Sequence, residues 1–304
     1  MTPLAIAFTP NYFVQAAAML HSLLRSSSGK SRYRVYCLVS EEIPAAMKEK
    51  LSRMADGRME FTYIPLGGKL DGVYTDPRYT EAASFRLLLP ELLPEEKSIV
   101  YADCDMIIRQ DTAVLFSKTE LGSNYLAAVF EAPIEDQAER IAKLGCKPGE
   151  YFNSGFLIMN LELMRKDSLC GKLLDACKVD WLEFPDQDAL NQVCKGRVLP
   201  LSPVCNGIRT FFLPQYFKEF KKQYSEYLWY EVRDKGNIHY TVGKPWQLFS
   251  VKFADWWLEY EALPDEIKQE WTPDEKVLRL WKIYRTAPGK WIMDKLRAVH
   301  RIFR

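Results

Sequence analysis

The 304-residue chain has only three histidines, His21, His239 and His300. None can pair within a His-Glu-x-x-His zinc helix. Its seven cysteines (37, 104, 146, 170, 177, 194 and 205) are odd in number and never spaced Cys-x-x-Cys. That leaves neither a disulfide framework nor a cysteine zinc site, and it points to a reducing cytoplasm. There is no Gly-x-Gly-x-x-Gly for a dinucleotide loop and no Gly-x-Ser-x-Gly nucleophile elbow. Gly29-Lys30-Ser31 copies the end of a phosphate loop, but Leu24 stands where its first glycine is needed. No apolar run approaches the ~20 residues that span a bilayer. The first eight residues are too short, and lack the basic start, for a signal peptide. Internal repeats and low-complexity segments are also absent.

What is present suits a soluble globular protein. Hydrophobic residues make up 48% of the chain and charged residues 27%, enough for a substantial core beneath a solvated surface. The length allows one large α/β domain or two small ones. Short apolar runs at 4–8, 33–39, 59–64, 99–102, 125–130 and 155–160 read as strands. Helical spacing of Phe13, Ala16, Ala17, Leu20, Leu23 and Leu24 predicts a helix over 12–25. Further helices are expected at 44–54, 81–89, 137–144, 161–177 and 186–194. Alternating strands and helices predict an α/β fold with a mostly parallel sheet covered on both faces. Ligands of such sheets bind beyond the carboxyl ends of the strands.

At one such end the apolar run Ile99–Ala102 meets Asp103-Cys104-Asp105. Two carboxylates two residues apart suit a hard divalent cation, Mg²⁺ or Mn²⁺. The spelling alone is weak, since Asp186-Gln187-Asp188 repeats it. Its context strengthens it: Phe85-Arg86 precedes it, Tyr151-Phe-Asn153-Ser154-Gly155 follows, and His239-Tyr-Thr-Val-Gly243-Lys244-Pro-Trp246 comes later. In this order and at these distances, over residues 3–250, the motifs resemble glycosyltransferase family 8, the retaining nucleotide-sugar enzymes that include glycogenin and lipopolysaccharide galactosyl- and glucosyltransferases.

The resemblance implies a GT-A type catalytic domain over residues 1–250. It implies transfer of glucose or galactose from a UDP-sugar to a glycan or glycolipid acceptor, as in lipopolysaccharide or surface-glycan synthesis. Asp103, Asp105 and His239 would bind Mn²⁺, with Mg²⁺ as the alternative. Phe8, Thr9, Asn11 and Tyr12 would hold the uridine, and the Cys104 backbone the ribose. Arg86, Gly243 and Lys244 would meet the diphosphate or the sugar. Asn153, Ser154, Asp186, Gln187 and Asp188 would surround the sugar, with Gln187 on its β face. A neutral amide is a poor nucleophile, which favours front-face substitution over double displacement. Two departures stand out. Thr9-Pro10 replaces an acidic position of many relatives, and the spacing from His239 to Lys244 is one residue shorter than is common.

Residues 251–304 form an extension of different composition. From residue 276 onward nine Lys/Arg face one acid, Asp294, interleaved with Trp281, Tyr284, Trp291, Ile292 and Phe303. Pro288-Gly289 is expected to divide this stretch into two amphipathic helices. Aromatic residues among cations favour an anionic membrane surface over a solvated or dimer-forming helix pair, and over nucleic acid. A cytoplasmic enzyme peripherally attached to the inner face of the membrane follows. Two rivals stay open: a metal-dependent nucleotidyltransferase, and a non-catalytic membrane-surface protein on the same fold.

Overall fold

A computed structural model describes residues 1–70 and 81–302, with side chains as far as residue 295. Seven strands form the central sheet: β1 (Thr2–Phe8), β2 (Tyr33–Val39), β3 (Met59–Pro65), β4 (Ile99–Ala102), β6 (Leu126–Phe130), β7 (Phe152–Met159) and β8 (Val198–Pro200). A separate two-stranded ribbon joins β5 (Met106–Ile107) to β9 (Ile238–His239). The order in the large sheet is β3-β2-β1-β4-β7-β6-β8. Only β7 runs against its neighbours. Its amino end therefore lies at the same sheet edge as the carboxyl ends of β1, β4 and β6.

Strand alternation divides the core into two layers. Leu4, Ile6 and Phe8 of β1 and Val100 and Ala102 of β4 point to one face. Ala5, Ile99 and Tyr101 point to the other. Helix Phe13–Ser26 lies on the first face, where Ala16, Ala17 and Ala18 allow a close approach to the sheet. Phe253, Trp256 and Trp257 of helix Phe253–Ala262 belong to the same cluster, as do Val277, Trp281 and Tyr284. The extension after residue 250 thus shares its core with the sheet. Burial of Phe85, Leu161, Met164, Leu173 and Leu190 builds the opposite layer.

Several boundaries differ from the sequence reading, each for a local reason. The helix expected over 161–177 is two, Leu161–Lys166 and Leu169–Ala176, because Ser168 adopts a left-handed conformation (φ 52°). Residues 81–88 form a 3-10 helix, and Pro90 sits in the first turn of a short helix Leu89–Leu92, where a missing N–H costs nothing. β7 begins at Phe152, three residues before the expected start, so Asn153-Ser154-Gly155 are strand residues. In the tail, helix Glu275–Tyr284 stops before Pro288, which lies in the first turn of helix Ala287–Ile302. The side chains of Leu296, Val299 and Ile302, together with Phe303 and Arg304, lie outside the described residues. Among the described residues, no helix is long and apolar enough to cross a membrane.

Candidate active site

β4 ends at Ala102, and the Asp103 N–H donates to the Gly155 carbonyl of β7 at 2.8 Å. One oxygen of Asp103, Oδ1, accepts from the Tyr101 hydroxyl at 2.9 Å and from the Arg86 guanidinium at 2.8 Å. Its other oxygen is left facing His239. Three residues after Asp103, β5 begins and pairs with β9 so that Met106 lies opposite His239. This ribbon brings a histidine from the far end of the sequence to both aspartates. His239 Nε2 lies 3.2 Å from Asp105 Oδ1 and 3.6 Å from Asp103 Oδ2. Ligand atoms of the three residues all lie within 4.8 Å of one another.

The donor set fits a divalent cation. Asp105 Oδ1 is buried and carries no hydrogen bond, an orphan acceptor aimed at the cluster. A Cβ on Gly155 would come within 2.1 Å of His239 Cε1 and 2.9 Å of Asp103 Oδ2, so glycine there keeps the imidazole and carboxylate together. Burial alone would push the Asp105 carboxyl up. The Lys244 ammonium outweighs it and holds that carboxyl well below the usual range. Two carboxylates and one imidazole, a mixed oxygen and nitrogen set, are consistent with a divalent metal ion.

Beside this cluster, Arg86 is only 3% exposed and connects the two acidic motifs. It lies 2.8 Å from Asp103 and 3.1 Å from Asp186, donates to the Ser154 carbonyl at 2.5 Å, and stacks over Tyr101 at 4.4 Å. Burial opposes its charge, but Asp103, Tyr101 and Asp186 keep it cationic. Asp186 opens helix Pro185–Val193 and also accepts from Ser154 Oγ at 3.3 Å. Burial raises its carboxyl to about 6, against the opposing pull of Arg86.

Gln187, on the same helix, packs against β7: its Oε1 accepts from the Ser154 N–H and from Asn153 Nδ2, both at 3.0 Å. Its Nε2 donates to the Tyr151 hydroxyl at 2.8 Å and to Glu131 at 3.3 Å. Asp188 stands apart from these groups. It is fully buried, with Oδ1 on Arg140 (2.5 Å) and Tyr151 (2.6 Å) and Oδ2 on the Glu183 and Phe184 N–H groups (3.1 Å each). It therefore supports Tyr151 and the helix start, and has no free face toward a sugar.

At the β1 end, Phe8 is buried in the core and offers only its backbone, Thr9 is half-buried and Asn11 exposed. Tyr12 packs edge-on against Trp246 at 5.6 Å, which closes this end over the His239–Trp246 segment. The Cys104 thiol turns away to the Ala7 carbonyl. Gly243 adopts φ +75°, a conformation that side chains disfavour, and so turns the chain. Lys244, directly after it, hydrogen-bonds Asp105 Oδ2 and the Tyr240 carbonyl.

Four polar residues in this network carry no role in the sequence reading. Glu131 at the end of β6, Tyr151 and Asn191 hold Gln187 and β7, and Asn206 touches His239. Tyr151 and Asn191 fall within recognised motifs. Asn206-Gly207 reads only as a turn, so no local signal distinguishes it.

Residues 3–248 match the sequence profile of the family described as Glycosyl transferase family 8. The chain belongs to glycosyltransferase family 8. A relative, General stress protein A of Bacillus subtilis, is 26% identical over 257 residues, covering 78% of this chain and 84% of that protein. Glycosyltransferase GlyB of Streptococcus pneumoniae is 30% identical over 60% of this chain and 42% of its own length. Lipopolysaccharide 1,2-glucosyltransferase of Escherichia coli K12 is 28% identical over 57% of this chain. The match spans 51% of that enzyme, so the chain covers about half the length of these last two relatives.

Among solved structures, the bifunctional glycosyltransferase WbbM superposes with a TM-score of 0.74 at 21% identity, over 88% of this chain and 51% of that one. Galactosyltransferase LgtC, solved with donor and acceptor sugar analogues, superposes with a TM-score of 0.72 at 22% identity, over 89% of this chain and 100% of that one. These likenesses establish the GT-A fold. As a family 8 member the chain is a glycosyltransferase, similar to the lipopolysaccharide 1,2-glucosyltransferase of Escherichia coli.

Proposed function

We propose that this glycosyltransferase moves glucose or galactose from a UDP-sugar to a glycan or glycolipid acceptor, with retention at the anomeric carbon. The observation that carries the reading is the convergence of Asp103, Asp105 and His239 on one point, with Asp105 Oδ1 lacking any other partner. These residues would hold Mn²⁺, or Mg²⁺ in its place, which when bound supplies a Lewis acid that neutralises the departing diphosphate. The chain's own groups do the rest. Residues Phe8 to Tyr12 line the end of β1 where uridine would lie, and the turn at Gly243 brings backbone and Lys244 to the diphosphate. Arg86, Asp186, Asn153 and Ser154 bind and orient the sugar.

Gln187 sits with its carbonyl oxygen already engaged by Ser154 and Asn153. An engaged neutral amide supports the front-face route over a Gln187 nucleophile. The acceptor hydroxyl then passes its proton to the leaving phosphate. A cytoplasmic setting at an anionic membrane surface, reached through residues 276–304, suits a glycolipid acceptor. Trp291 is 65% exposed beside Lys290 and Lys295, as such a surface requires.

Calorimetric binding of UDP with and without Mn²⁺, to wild type and Asp103→Asn, tests the reading. UDP binding that needs both the cation and Asp103 is expected, followed by turnover of UDP-glucose or UDP-galactose. Binding that ignores both would overturn it.

A further inference from the structure

Amide side chains can be oriented either way until an unambiguous donor or acceptor settles them. Here a backbone N–H does so. Gly155 N–H can only donate, and it donates to Asn153 at 3.0 Å, which makes that atom Oδ1. The same oxygen lies 2.8 Å from Asn206, so Asn206 must present its Nδ2 there. The other end of the Asn206 amide is then its oxygen, and that oxygen lies 3.0 Å from His239 Nδ1. An amide oxygen accepts but never donates. His239 Nδ1 must therefore carry a proton, and Nε2, the nitrogen facing Asp103 and Asp105, is the one left to bind a cation. Asn206 is completely buried, so water cannot substitute for it.

We infer that Asn206 is a positioning residue: it reads the polarity of the β7 backbone at Gly155 and imposes on His239 the tautomer that metal ligation needs. Histidine ligands commonly hold their second nitrogen this way, and loss of that partner costs on the order of 10- to 100-fold in metal affinity. The same polarity extends to the sugar side. Asn153 Nδ2, set by the same Gly155 N–H, donates to Gln187 Oε1 at 3.0 Å. The glutamine oxygen is fixed there independently by the Ser154 N–H, also at 3.0 Å, so two successive backbone amides of β7 orient the histidine and the glutamine.

The inference rests on the cation reading of Asp103, Asp105 and His239, and the experiment separates the two. Mn²⁺ binding in the presence of UDP is read from the paramagnetic resonance of free Mn²⁺, for wild type, Asn206→Leu and Asn206→Asp, with thermal unfolding of each. Asn206→Leu removes the acceptor and should weaken Mn²⁺ by about 10- to 100-fold. Asn206→Asp still offers an acceptor to Nδ1 and should retain Mn²⁺ within a few-fold, even where thermal stability falls. Equal weakening in both variants, in step with lost stability, would reduce Asn206 to a packing residue and overturn the inference. So would wild-type affinity in Asn206→Leu. Absence of Mn²⁺ binding in wild type would instead overturn the cation reading. A further measurement needs no substitution at Asn206. In the Mg²⁺-bound protein, long-range ¹H–¹⁵N histidine spectra, assigned with His21→Gln and His300→Gln, should place the His239 proton on Nδ1. A proton on Nε2 would refute the inference.

Discussion

Lys244 and Asp105 stand 139 residues apart in sequence, yet the Lys244 ammonium hydrogen-bonds Asp105 Oδ2, while Asp105 Oδ1 faces His239. A cation entering between Asp103, Asp105 and His239 must share that carboxylate with the ammonium or displace it. Two like charges about 4 Å apart cost about 1 kcal/mol even at the dielectric of water, and more when buried. Lys244→Met is therefore expected to tighten Mn²⁺ binding to the nucleotide-free protein by roughly three- to tenfold. UDP affinity should fall at the same time, because the diphosphate loses a point charge. Titration of Mn²⁺ alone and then of UDP reads both. Weaker Mn²⁺ binding in the variant would show that the ammonium does not compete.

Asp186 gives the site a pH signature. Burial raises its carboxyl to about 6, above the value of about 4 expected for an unfolded chain. Between those values the folded state holds a proton that the unfolded state has lost, so stability falls as pH rises through that window. Above about 6 the deficit is complete, at roughly 2–3 kcal/mol. Asp186→Asn cannot ionise and should lack this component. Chemical denaturation of the metal-free protein from pH 4.5 to 7.5 should show wild type losing ground to Asp186→Asn as pH increases. Parallel profiles would mean that the Asp186 carboxyl ionises normally.

The acidic pair Asp103 and Asp105 was legible in the sequence because strand, exit and carboxylates are contiguous there. His239 was legible only through its neighbours Gly243, Lys244 and Trp246, since the β5–β9 ribbon that delivers it joins segments far apart. Asp188 illustrates the converse. It shares a turn with Asp186 and Gln187, but the direction of its side chain depends on Arg140 and Tyr151 from other elements. Nothing local announces that. Asn206 and Glu131 were illegible for the same reason, because an orienting hydrogen bond exists only once β6, β7 and β9 have met. The reversed direction of β7 likewise left no trace in its apolar pattern, although it is what brings Asn153 and Ser154 to the catalytic edge.

The extension is tied to the sheet domain by charge as well as by its aromatic core. Glu259 of helix Phe253–Ala262 is 0% exposed and lies 2.5 Å from His21 Nδ1 and 2.7 Å from Arg25, both on helix Phe13–Ser26. Removing one partner of a buried pair costs most when the group left behind is the buried one. His21→Ala strands the Glu259 carboxylate with Arg25, whose side chain is largely exposed. Glu259→Gln leaves two groups that water can reach. His21→Ala is expected to cost about 2–3 kcal/mol and Glu259→Gln about 1 kcal/mol in urea denaturation. The reverse order would indicate that Glu259 is stabilised by its surroundings without His21.

The packing of the tail determines how membrane attachment has to be tested. Removing residues 276–304 outright would strip Val277, Trp281 and Tyr284 from the core, where Trp281 stacks on Trp257 and donates to Glu261 at 2.9 Å. A truncated protein that lost vesicle binding could simply have lost its fold. Trp291 and Ile292 are 65% and 49% exposed on helix Ala287–Ile302, so their replacement leaves that core intact. Trp291→Ser with Ile292→Ser should weaken sedimentation with anionic phospholipid vesicles by about tenfold or more, since each side chain contributes roughly 1–3 kcal/mol when buried. Thermal stability should not change. Raised salt should weaken wild-type binding as well, because Lys290 and Lys295 act through a screened field. Undiminished binding in the double variant would move the membrane contact elsewhere on the protein.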